Sequence, residues 1–395
     1  MFLYACISLL IVIVLIVILC AIINTKINMH IWLLVLLIVV GCLAYIAFCF
    51  NAGTYNSDNW VNVYYNSTFD VVRYHIEINA LRGVDFELVK TKIYSAQEPM
   101  RILLFYILAQ FNSDNWISVV SVVLTFGVFS RLVYQFGFCF PLEFHNGKVK
   151  KMKSVGIREL VLAYLILFAA VDYMDMVNTC RGIIAYSLIS YAIVQLYVYD
   201  RKIISYILIV IASMLHVSGW GIFLIILCVR VLPVIYKFRY FFLFWQLALF
   251  PISLLLSLIP FRPFQVISIR LQNYVGAIGG MWSYWAILMI SFILFTVMIQ
   301  YLLGKTRNSR KREMLKLIQV ILFIMIGGYR TIIALRLFYI IGIISPVFIF
   351  AFYEKIHFKY KQLLMGAMVI CLTGCCIYHI GLYSVYINQA GATWG

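Results

Sequence analysis

The stretch IWLLVLLIVVGCLAYIAFCF, residues 31–50, decides the fold class of this chain. It carries no charge, and an α-helix needs about 20 apolar residues to cross the hydrocarbon core of a bilayer. A similar run, residues 2–23, precedes it without a basic segment in front, which argues against a cleaved signal peptide. The two runs therefore predict consecutive transmembrane helices.

Composition extends this prediction to the whole chain. Of 395 residues, 65% are hydrophobic and 11% are charged, whereas soluble domains carry about 25% charged residues. The apolar runs are continuous and do not alternate, which favours helices over the strands of a membrane barrel. We predict an all-α, polytopic transmembrane helical bundle, with residues 1–395 forming a single membrane domain.

The ten cysteines do not indicate a disulfide framework. Most lie inside apolar runs, and none shows the paired spacing of a metal site. Cys180, beside Arg181, could be a thiolate stabilised by a cation. Packing as a small apolar residue is the favoured interpretation.

The net charge of +17 does not indicate a nucleic-acid partner, because the distribution of the basic residues is the one expected from membrane topology. Short loops rich in lysine and arginine face the cytoplasm. Five such loops occur, at residues 148–158, 201–202, 237–239, 305–312 and 355–361. Working outward from them predicts about 12 crossings with both termini outside, near residues 2–23, 31–50, 115–137, 158–176, 181–199, 203–215, 219–235, 240–259, 282–303, 314–329, 332–353 and 362–382.

This topology leaves two extracytoplasmic loops, residues 51–114 and residues 260–281. The tail of the first, from Pro99 to Phe111, is apolar but too short to cross easily. Proline is well placed at the start of a helix. We expect a short re-entrant or interfacial helix in the outer leaflet, because a full crossing would put the basic loop 148–158 outside.

Arginine dominates the positive charge of the predicted outer face. Arginine presents a fixed fork of donors that pairs bidentately with phosphate and carboxylate, so this enrichment indicates an anionic substrate, with a diphosphate as the obvious candidate. The alternatives are pairing with acidic residues on the same side or contact with lipid headgroups. Eight of the ten basic residues are arginine: Arg73, Arg82, Lys90, Lys92, Arg101, Arg181, Arg262, Arg270, Arg330 and Arg336.

Two of these arginines lie within apolar helices. Arg181 opens a helix just after Asp172 and Asp175, and Arg336 interrupts another apolar run. A charge at such a depth costs a few kcal/mol and normally faces a polar cavity, which marks a functional site. The alternative for Arg181 is an ion pair within the bundle, with Asp172 or Asp175.

His216 lies at the polar apex between two short apolar helices, near the outer boundary of the hydrocarbon. A histidine there can shuttle a proton or donate to an oxyanion. The alternative is a histidine that caps a helix with its ring hydrogen-bonded.

Glu98 immediately precedes Pro99 and the short outer helix. The free amides at a helix N-terminus stabilise a carboxylate there, so capping would explain Glu98 without a function. A general base or a ligand of the acceptor sugar is the functional interpretation.

The remaining candidates would bind substrate. Aromatic side chains can stack on sugar faces, although aromatic residues at a membrane boundary also serve as anchors. The candidates are Asp58, Trp60, Tyr64, Tyr65, Arg73, Arg262, Arg270, Arg330 and Tyr339. The sequence shows neither a DxD motif on an outer loop nor a cluster with metal-ligand spacing, and we predict no metal site.

The order of these motifs resembles a known family. Tyr55–Asp58 and Tyr64-Tyr65 come first, and Glu98-Pro99, Arg181 with Ala185, Ser213–Ser218 and Arg336–Tyr339 follow. This pattern, between residues 30 and 350, is similar to the EpsG-like family of Wzy-type bacterial exopolysaccharide, capsule and O-antigen polymerases. One departure is Gly182, where the family pattern leads us to expect glutamine.

The resemblance implies a GT-C-like integral membrane glycosyltransferase that uses no nucleotide sugar, metal or other cofactor. It would transfer a growing glycan from undecaprenyl diphosphate to a lipid-linked oligosaccharide repeat, at the outer face of a bacterial inner (cytoplasmic) membrane. Arg181 and Arg336 would neutralise the leaving diphosphate with help from Arg262 or Arg270, and Glu98 or His216 would take the acceptor proton. Membrane lipids, a flippase and a chain-length regulator are the candidate partners.

Three other functions compete with this one. A flippase for lipid-linked oligosaccharides would also need arginines, but transporters tend to show repeated halves, which this chain lacks. A ligase similar to O-antigen ligases, or an acyltransferase, would share the arginine and histidine chemistry. A purely structural membrane protein would not explain Arg336 and His216.

Overall fold

A computed structural model describes residues 26–51, 70–139, 155–231, 236–245, 251, 254–255, 257–258, 272, 282–306, 308–355, 361–390 and 393–394. Nearly all regular structure in these residues is helical. The main helices are α1 (Met29–Phe48), α2 (Asp70–Asn79), α3 (Phe86–Ser95), α4 (Pro99–Ala109), α5 (Trp116–Val133, continued by a π-helical turn at Tyr134–Phe138), α6 (Ile157–Ala170), α7 (Tyr173–Asn178), α8 (Cys180–Tyr197), α9 (Lys202–Leu215), α10 (Ser218–Val231), α11 (Trp282–Lys305), α12 (Ser309–Gly327), α13 (Ile332–Lys355) and α14 (Lys361–Ala390). A 3-10 helix, Arg239–Leu243, lies between α10 and α11, and the strands are β1 (Lys26–Ile27), β2 (Phe50–Asn51), β3 (Val155–Gly156) and β4 (Thr393–Trp394).

The helices confirm an all-α membrane protein. Within the described residues, six are long and apolar enough to cross a bilayer: Met29–Phe48, Trp116–Phe138, Cys180–Tyr197, Tyr284–Lys305, Ile332–Ala351 and Gln362–His379. The apolar helices α9 and α10 have 14 residues each, so each is about 21 Å long at about 1.5 Å per residue. The predicted crossing 2–23 lies outside the described residues, as do nine of the 20 residues of the predicted crossing 240–259. The total of 12 crossings stays a prediction.

Helices α8 and α13 form the centre of the bundle. They pack against each other and against α5, while α6 covers α13 on another side. In the membrane-length part of α8, 83% of the residues are buried inside the protein, whereas in that of α1 only 17% are buried. Small side chains on α8, such as Ala185, Ser187 and Ala192, let neighbouring helices approach closely. The interior of the bundle is therefore closed by protein, and α1 presents its apolar side chains outward.

The predicted extracytoplasmic segment 51–114 contains three short helices in its described part: α2, α3 and α4. Helix α4 has 11 residues and begins at Pro99, as the sequence predicts. It packs against α2, α3 and α9, so it is attached to the bundle on several sides. The second predicted loop, 260–281, lies outside the described residues except for Gln272.

Short antiparallel strand pairs connect distant loops at the two ends of α1. Before α1, β1 pairs with β3, and Lys26 lies opposite Gly156. After α1, β2 pairs with β4, and Phe50 lies opposite Trp394. Each pair joins two segments that the charge pattern assigns to the same side of the membrane.

Candidate functional site

Glu98 and Arg181 form an ion pair between two distant parts of the chain. The Nη1 atom of Arg181 donates to Oε2 of Glu98 at 2.8 Å. Arg181 is at the start of α8, and Glu98 is in the turn before α4 with 9% of its surface exposed. Hydrogen bonds between ionised groups are roughly twice as strong as neutral ones. This pair therefore links α4 to the central helix of the bundle.

The other contacts of Glu98 come from the α9–α10 turn and from its own helix. Its Oε1 atom accepts the backbone N–H of Val217 at 2.9 Å. The Nε atom of Arg101 lies 3.6 Å from Oε2, and the Nη1 atom of Arg101 lies 3.4 Å from Oε2 of Glu77. Three segments that are far apart in sequence thus meet at one carboxylate.

These contacts correct two of the sequence interpretations. Glu98 occupies the N-cap position of α4, but its side chain makes no capping hydrogen bond, so the capping interpretation is wrong. The alternative partners proposed for Arg181 are also wrong, because its carboxylate partner is Glu98 and not Asp172 or Asp175. Both errors have the same cause: the carboxylate and its partner lie 83 residues apart and meet only through helix packing.

His216 lies in the turn between α9 and α10 and is 5% exposed. Its Nδ1 atom is 2.7 Å from Oγ of Ser218 and 3.3 Å from the backbone nitrogen of Ser218. The Ser218 hydroxyl lies 2.6 Å from the hydroxyl of Tyr186 on α8. The ring therefore does accept a bond from the first turn of α10, as the capping alternative predicts.

The electrostatic environment of His216 disfavours its charged form. Burial, followed by the positive charges of Arg336, Arg181 and Arg101, lowers the pKa of His216 to about 3. The imidazole is therefore neutral at neutral pH. The same guanidinium groups favour an anion close to the ring.

A close approach of two helices fixes the turn that carries His216. A Cβ atom on Gly219 would lie 2.7 Å from the Cα atom of Ser213, which is too short for a real contact. Only glycine lets the start of α10 pack this closely against the end of α9. Gly219 therefore helps to hold His216 beside α8.

Helix α13 brings Arg336 and Tyr339 to the same region. Arg336 is partly buried, and its charge acts on His216. The ring of Tyr339 lies 5.6 Å from that of Tyr186, and its hydroxyl donates to Oδ2 of Asp175 at 3.0 Å. Tyr339 thus lies beside these charged side chains, but its hydroxyl is already bonded to protein.

Asp172 belongs to a neighbouring network that connects α14 to the bundle. Its Oδ2 atom is 3.0 Å from Nδ1 of His379, and its Oδ1 atom accepts the backbone N–H of Asp175 at 2.7 Å. The Nε2 atom of His379 lies 3.3 Å from the hydroxyl of Tyr284 on α11. This network explains why Asp172 and Asp175 are not partners of Arg181.

The remaining candidate residues are placed less centrally or lie outside the described part. Arg73 pairs with Asp70 at 3.2 Å, and both side chains are more than one third exposed, at 37% and 42%. Arg330 is partly buried in the turn before α13. The predictions for Asp58, Trp60, Tyr64, Tyr65, Arg262 and Arg270 fall outside the described residues.

Several residues in or beside this group of side chains were not singled out as catalytic or substrate-binding candidates from the sequence. Arg101 follows Glu98 by three residues, a spacing that places both on one face of a helix and could have indicated it. Tyr186 follows Arg181 on α8. Glu77 and Tyr74 gave no such signal, because only the packing of α2 against α4 brings them near; the Arg181 guanidinium lies 5.6 Å from the centre of the Tyr74 ring.

Eight cysteines lie in the described ranges, and each is a free thiol. Cys180 is buried and donates from its sulfur to the carbonyl of Val177 at 2.7 Å, which agrees with a packing role. The same ranges contain no group of three or more His, Cys, Asp and Glu side chains placed to hold a metal ion.

The fold and the site together define an α-helical membrane protein with a group of buried and partly buried titratable residues between helix ends. This cluster consists of Glu98, Arg101, Arg181, His216 and Arg336. Comparison with protein-family models, with curated proteins and with solved structures gives no match for this chain.

Proposed function

We propose that the chain is a metal-independent integral membrane glycosyltransferase that polymerises lipid-linked oligosaccharides. The donor would be a glycan on undecaprenyl diphosphate, and the acceptor would be a lipid-linked repeat unit. The resemblance to EpsG-like Wzy-type polymerases suggests this reaction. The observation that carries it is the arginine-rich cluster at the meeting point of α4, α8, α10 and α13.

The charge of the cluster supports an anionic ligand. Arg101, Arg181 and Arg336 bring three positive charges, whereas Glu98 and the neighbouring Glu77, which contacts Arg101, bring two negative ones. Within the part of the chain that is described, the Nε atom of Arg181 is buried and makes no hydrogen bond. Leaving a buried donor unpaired costs about 1–3 kcal/mol or more. A phosphate oxygen would satisfy this demand and balance the excess charge.

The proposed step is a displacement at the anomeric carbon of the donor. The acceptor hydroxyl oxygen forms a bond to that carbon while the bond from the carbon to the diphosphate oxygen breaks. The electron pair of the broken bond leaves with the diphosphate, and the acceptor proton moves to Glu98 or His216. Guanidinium groups placed at the leaving oxygen stabilise the charge that develops there, and electrostatic stabilisation of this kind usually contributes more to catalysis than any other single effect.

The proposed orientation places the cluster at the outer face of the membrane, with 12 crossings in total. The contacts between loops support it. Asp200 and Arg310, in two predicted cytoplasmic loops, form an ion pair of 3.1 Å beyond the C-terminal end of α8. Arg181 lies at the opposite end of that helix, which is about 27 Å long at about 1.5 Å per residue. A lipid-linked repeat supplied by a flippase would reach the cluster from outside.

An in vitro polymerisation assay with Arg336→Lys tests this function. Purified protein would be given a defined oligosaccharide on a polyprenyl diphosphate, and the products would be separated on a gel. We expect a ladder from the wild-type protein and a loss of at least about 100-fold for Arg336→Lys, because lysine cannot present a bidentate fork to phosphate. Arg310→Lys, which makes the same change in the partly exposed ion pair with Asp200 beyond the far end of α8, is the matched control and should retain the ladder.

Two results would contradict the proposal. One is a ladder of wild-type length from Arg336→Lys, which would remove Arg336 from the catalytic groups. The other is movement of the lipid-linked substrate across proteoliposome membranes without any chain growth, which would identify a flippase.

A further inference from the structure

The hydrogen bonds around His216 determine which of its nitrogens carries a proton. The backbone N–H of Ser218 points to Nδ1 at 3.3 Å. A backbone N–H can only donate, so its partner must offer a lone pair. Nδ1 is therefore unprotonated. In a neutral imidazole the proton then resides on Nε2.

The side-chain hydrogen bonds agree with this assignment. The Ser218 hydroxyl, 2.7 Å from Nδ1, can donate to that lone pair. Its oxygen can then accept from the hydroxyl of Tyr186 at 2.6 Å. The resulting chain runs in one direction, from Tyr186 through Ser218 to the ring, and each step is a short hydrogen bond donated by an O–H group.

We propose that His216 is a hydrogen-bond donor, which presents Nε2–H to an anionic oxygen of the substrate, and that Ser218 and Tyr186 are the positioning residues that fix this tautomer. The identity of that oxygen, on the diphosphate of the lipid-linked donor, rests on the proposed function. The tautomer itself does not.

The surroundings of the ring suit a donor role. A Cβ atom on Gly182 would lie 3.6 Å from Cδ2 of His216, the carbon bonded to Nε2. That atom would also lie 3.5 Å from Thr179 and 3.5 Å from Tyr186, so the missing side chain leaves room for about one atom beside this edge of the ring. Three arginines, Arg101, Arg181 and Arg336, disfavour a second proton on the ring and attract an anion to the same place.

This assignment decides between the two candidate bases. A ring whose Nδ1 is occupied by protein donors and whose Nε2 is protonated has no free lone pair to take a proton. The acceptor proton would then move to a carboxylate oxygen of Glu98. Each oxygen of that carboxylate has two lone pairs and accepts one short hydrogen bond, from Arg181 or from Val217.

Nitrogen NMR of the purified protein tests the tautomer directly. Histidine labelled with 15N would be incorporated, and the His216 signals would be identified by their loss in His216→Gln. We expect an unprotonated Nδ1 and a protonated Nε2 at pH 7.5, and a shift of the Nε2–H signal when inorganic diphosphate is added. A protonated Nδ1 would overturn the proposal. Ser218→Ala should make the two tautomers more equal in population.

Polymerisation by three variants and one control variant tests the donor role separately. Glutamine keeps an N–H donor in the region of Nε2 but is not a base, so His216→Gln should retain activity within about tenfold of wild type. His216→Ala should lose about 100-fold or more, the usual effect of removing one donor to a developing oxyanion. Tyr186→Phe should have an intermediate effect with an altered His216 spectrum, whereas Tyr191→Phe on the same helix should behave as wild type.

The outcomes separate this inference from the proposed function. Equal inactivity of His216→Gln and His216→Ala would overturn the donor role and restore the histidine as a base. The expected tautomer and diphosphate response, in a protein that catalyses no chain growth, would refute the polymerase while supporting His216 as an anion-binding donor.

Discussion

At the scale of single residues, Glu98 is the point where the cluster is assembled. Its two oxygens accept from Arg181 and from the backbone of Val217, and Arg101 lies beside the first of these contacts. Arg181 lies at the start of α8 and Val217 lies in the α9–α10 turn, so a single carboxylate connects both segments to α4. A residue that connects these segments, and that we propose to take the acceptor proton, should affect both activity and local order when it is replaced.

Replacing Glu98 with glutamine should reduce chain growth by about 100-fold or more. Glutamine is nearly the same size, but it cannot accept a proton and it leaves the charge of Arg181 without its partner. Ladder formation by the purified variant measures the effect, and Glu87→Gln is the matched control because Glu87 is 73% exposed in a pair with Lys90. Growth of the polymer at the wild-type rate in Glu98→Gln would exclude this carboxylate as the base.

At the scale of elements, close contact between α6 and α13 holds the centre of the bundle. A Cβ atom on Gly342 would lie 2.5 Å from the Cβ atom of Ala170 and 3.4 Å from the carbonyl oxygen of Ile166. Without the water-driven hydrophobic effect between helices, small residues at such contacts allow the close packing that stabilises membrane bundles. Arg336 and Tyr339 lie on α13 near this contact, so its geometry also positions the cluster.

Replacing Gly342 with leucine should separate α6 from α13 and destabilise the protein by about 1–3 kcal/mol, the usual cost of overpacking. Thermal unfolding of the purified protein in detergent should show a midpoint several degrees lower. Gly366→Leu makes the same change on α14, where a new side chain meets open space. That variant should unfold at or slightly above the wild-type temperature, because leucine favours helix more than glycine does. Equal midpoints for the two variants would show that the close contact contributes nothing to stability.

At the scale of the whole molecule, the loops separate into two groups at opposite ends of the bundle. Lys26–Ile27 pairs with Val155–Gly156, and Asp200 pairs with Arg310, among the loops predicted to be cytoplasmic. The paired strands β2 and β4, together with the cluster around Glu98, form the other group. The topology predicted from the basic loops therefore agrees with the structure, because loops predicted to lie on the same side of the membrane also contact one another.

Labelling of introduced cysteines should show this separation in cells. In a background without the native cysteines, Glu87→Cys should react with a membrane-impermeant maleimide added from outside. Lys202→Cys, which is also exposed, should react only after the membrane is permeabilised. Reaction of both positions from the same side would contradict the topology. The reverse pattern would place the cluster in the cytoplasm and refute an outward-facing polymerase.

Much of the architecture is predictable from the sequence, because the bilayer imposes a local condition. A segment must be apolar over a set length to cross, and basic loops stay on one side, so α1, α5, α8 and α13 could be predicted within a few residues of their ends. The depth of Arg336 and the polar turn at His216 are properties of the same kind. Each of them can be judged from its position along one helix.

Tertiary structure alone decided which of these groups meet. Glu98 and Arg181 are 83 residues apart, and Glu98 and Val217 are 119 apart. Their contacts depend on how α4, α8 and α10 pack, which no local pattern encodes. The tautomer of His216 likewise follows from one N–H and two hydroxyl groups in a turn and on a neighbouring helix. Local sequence determines where each membrane helix begins and ends, because the bilayer selects each segment by its own length and apolar character. The site arises from many weak packing contacts that act together.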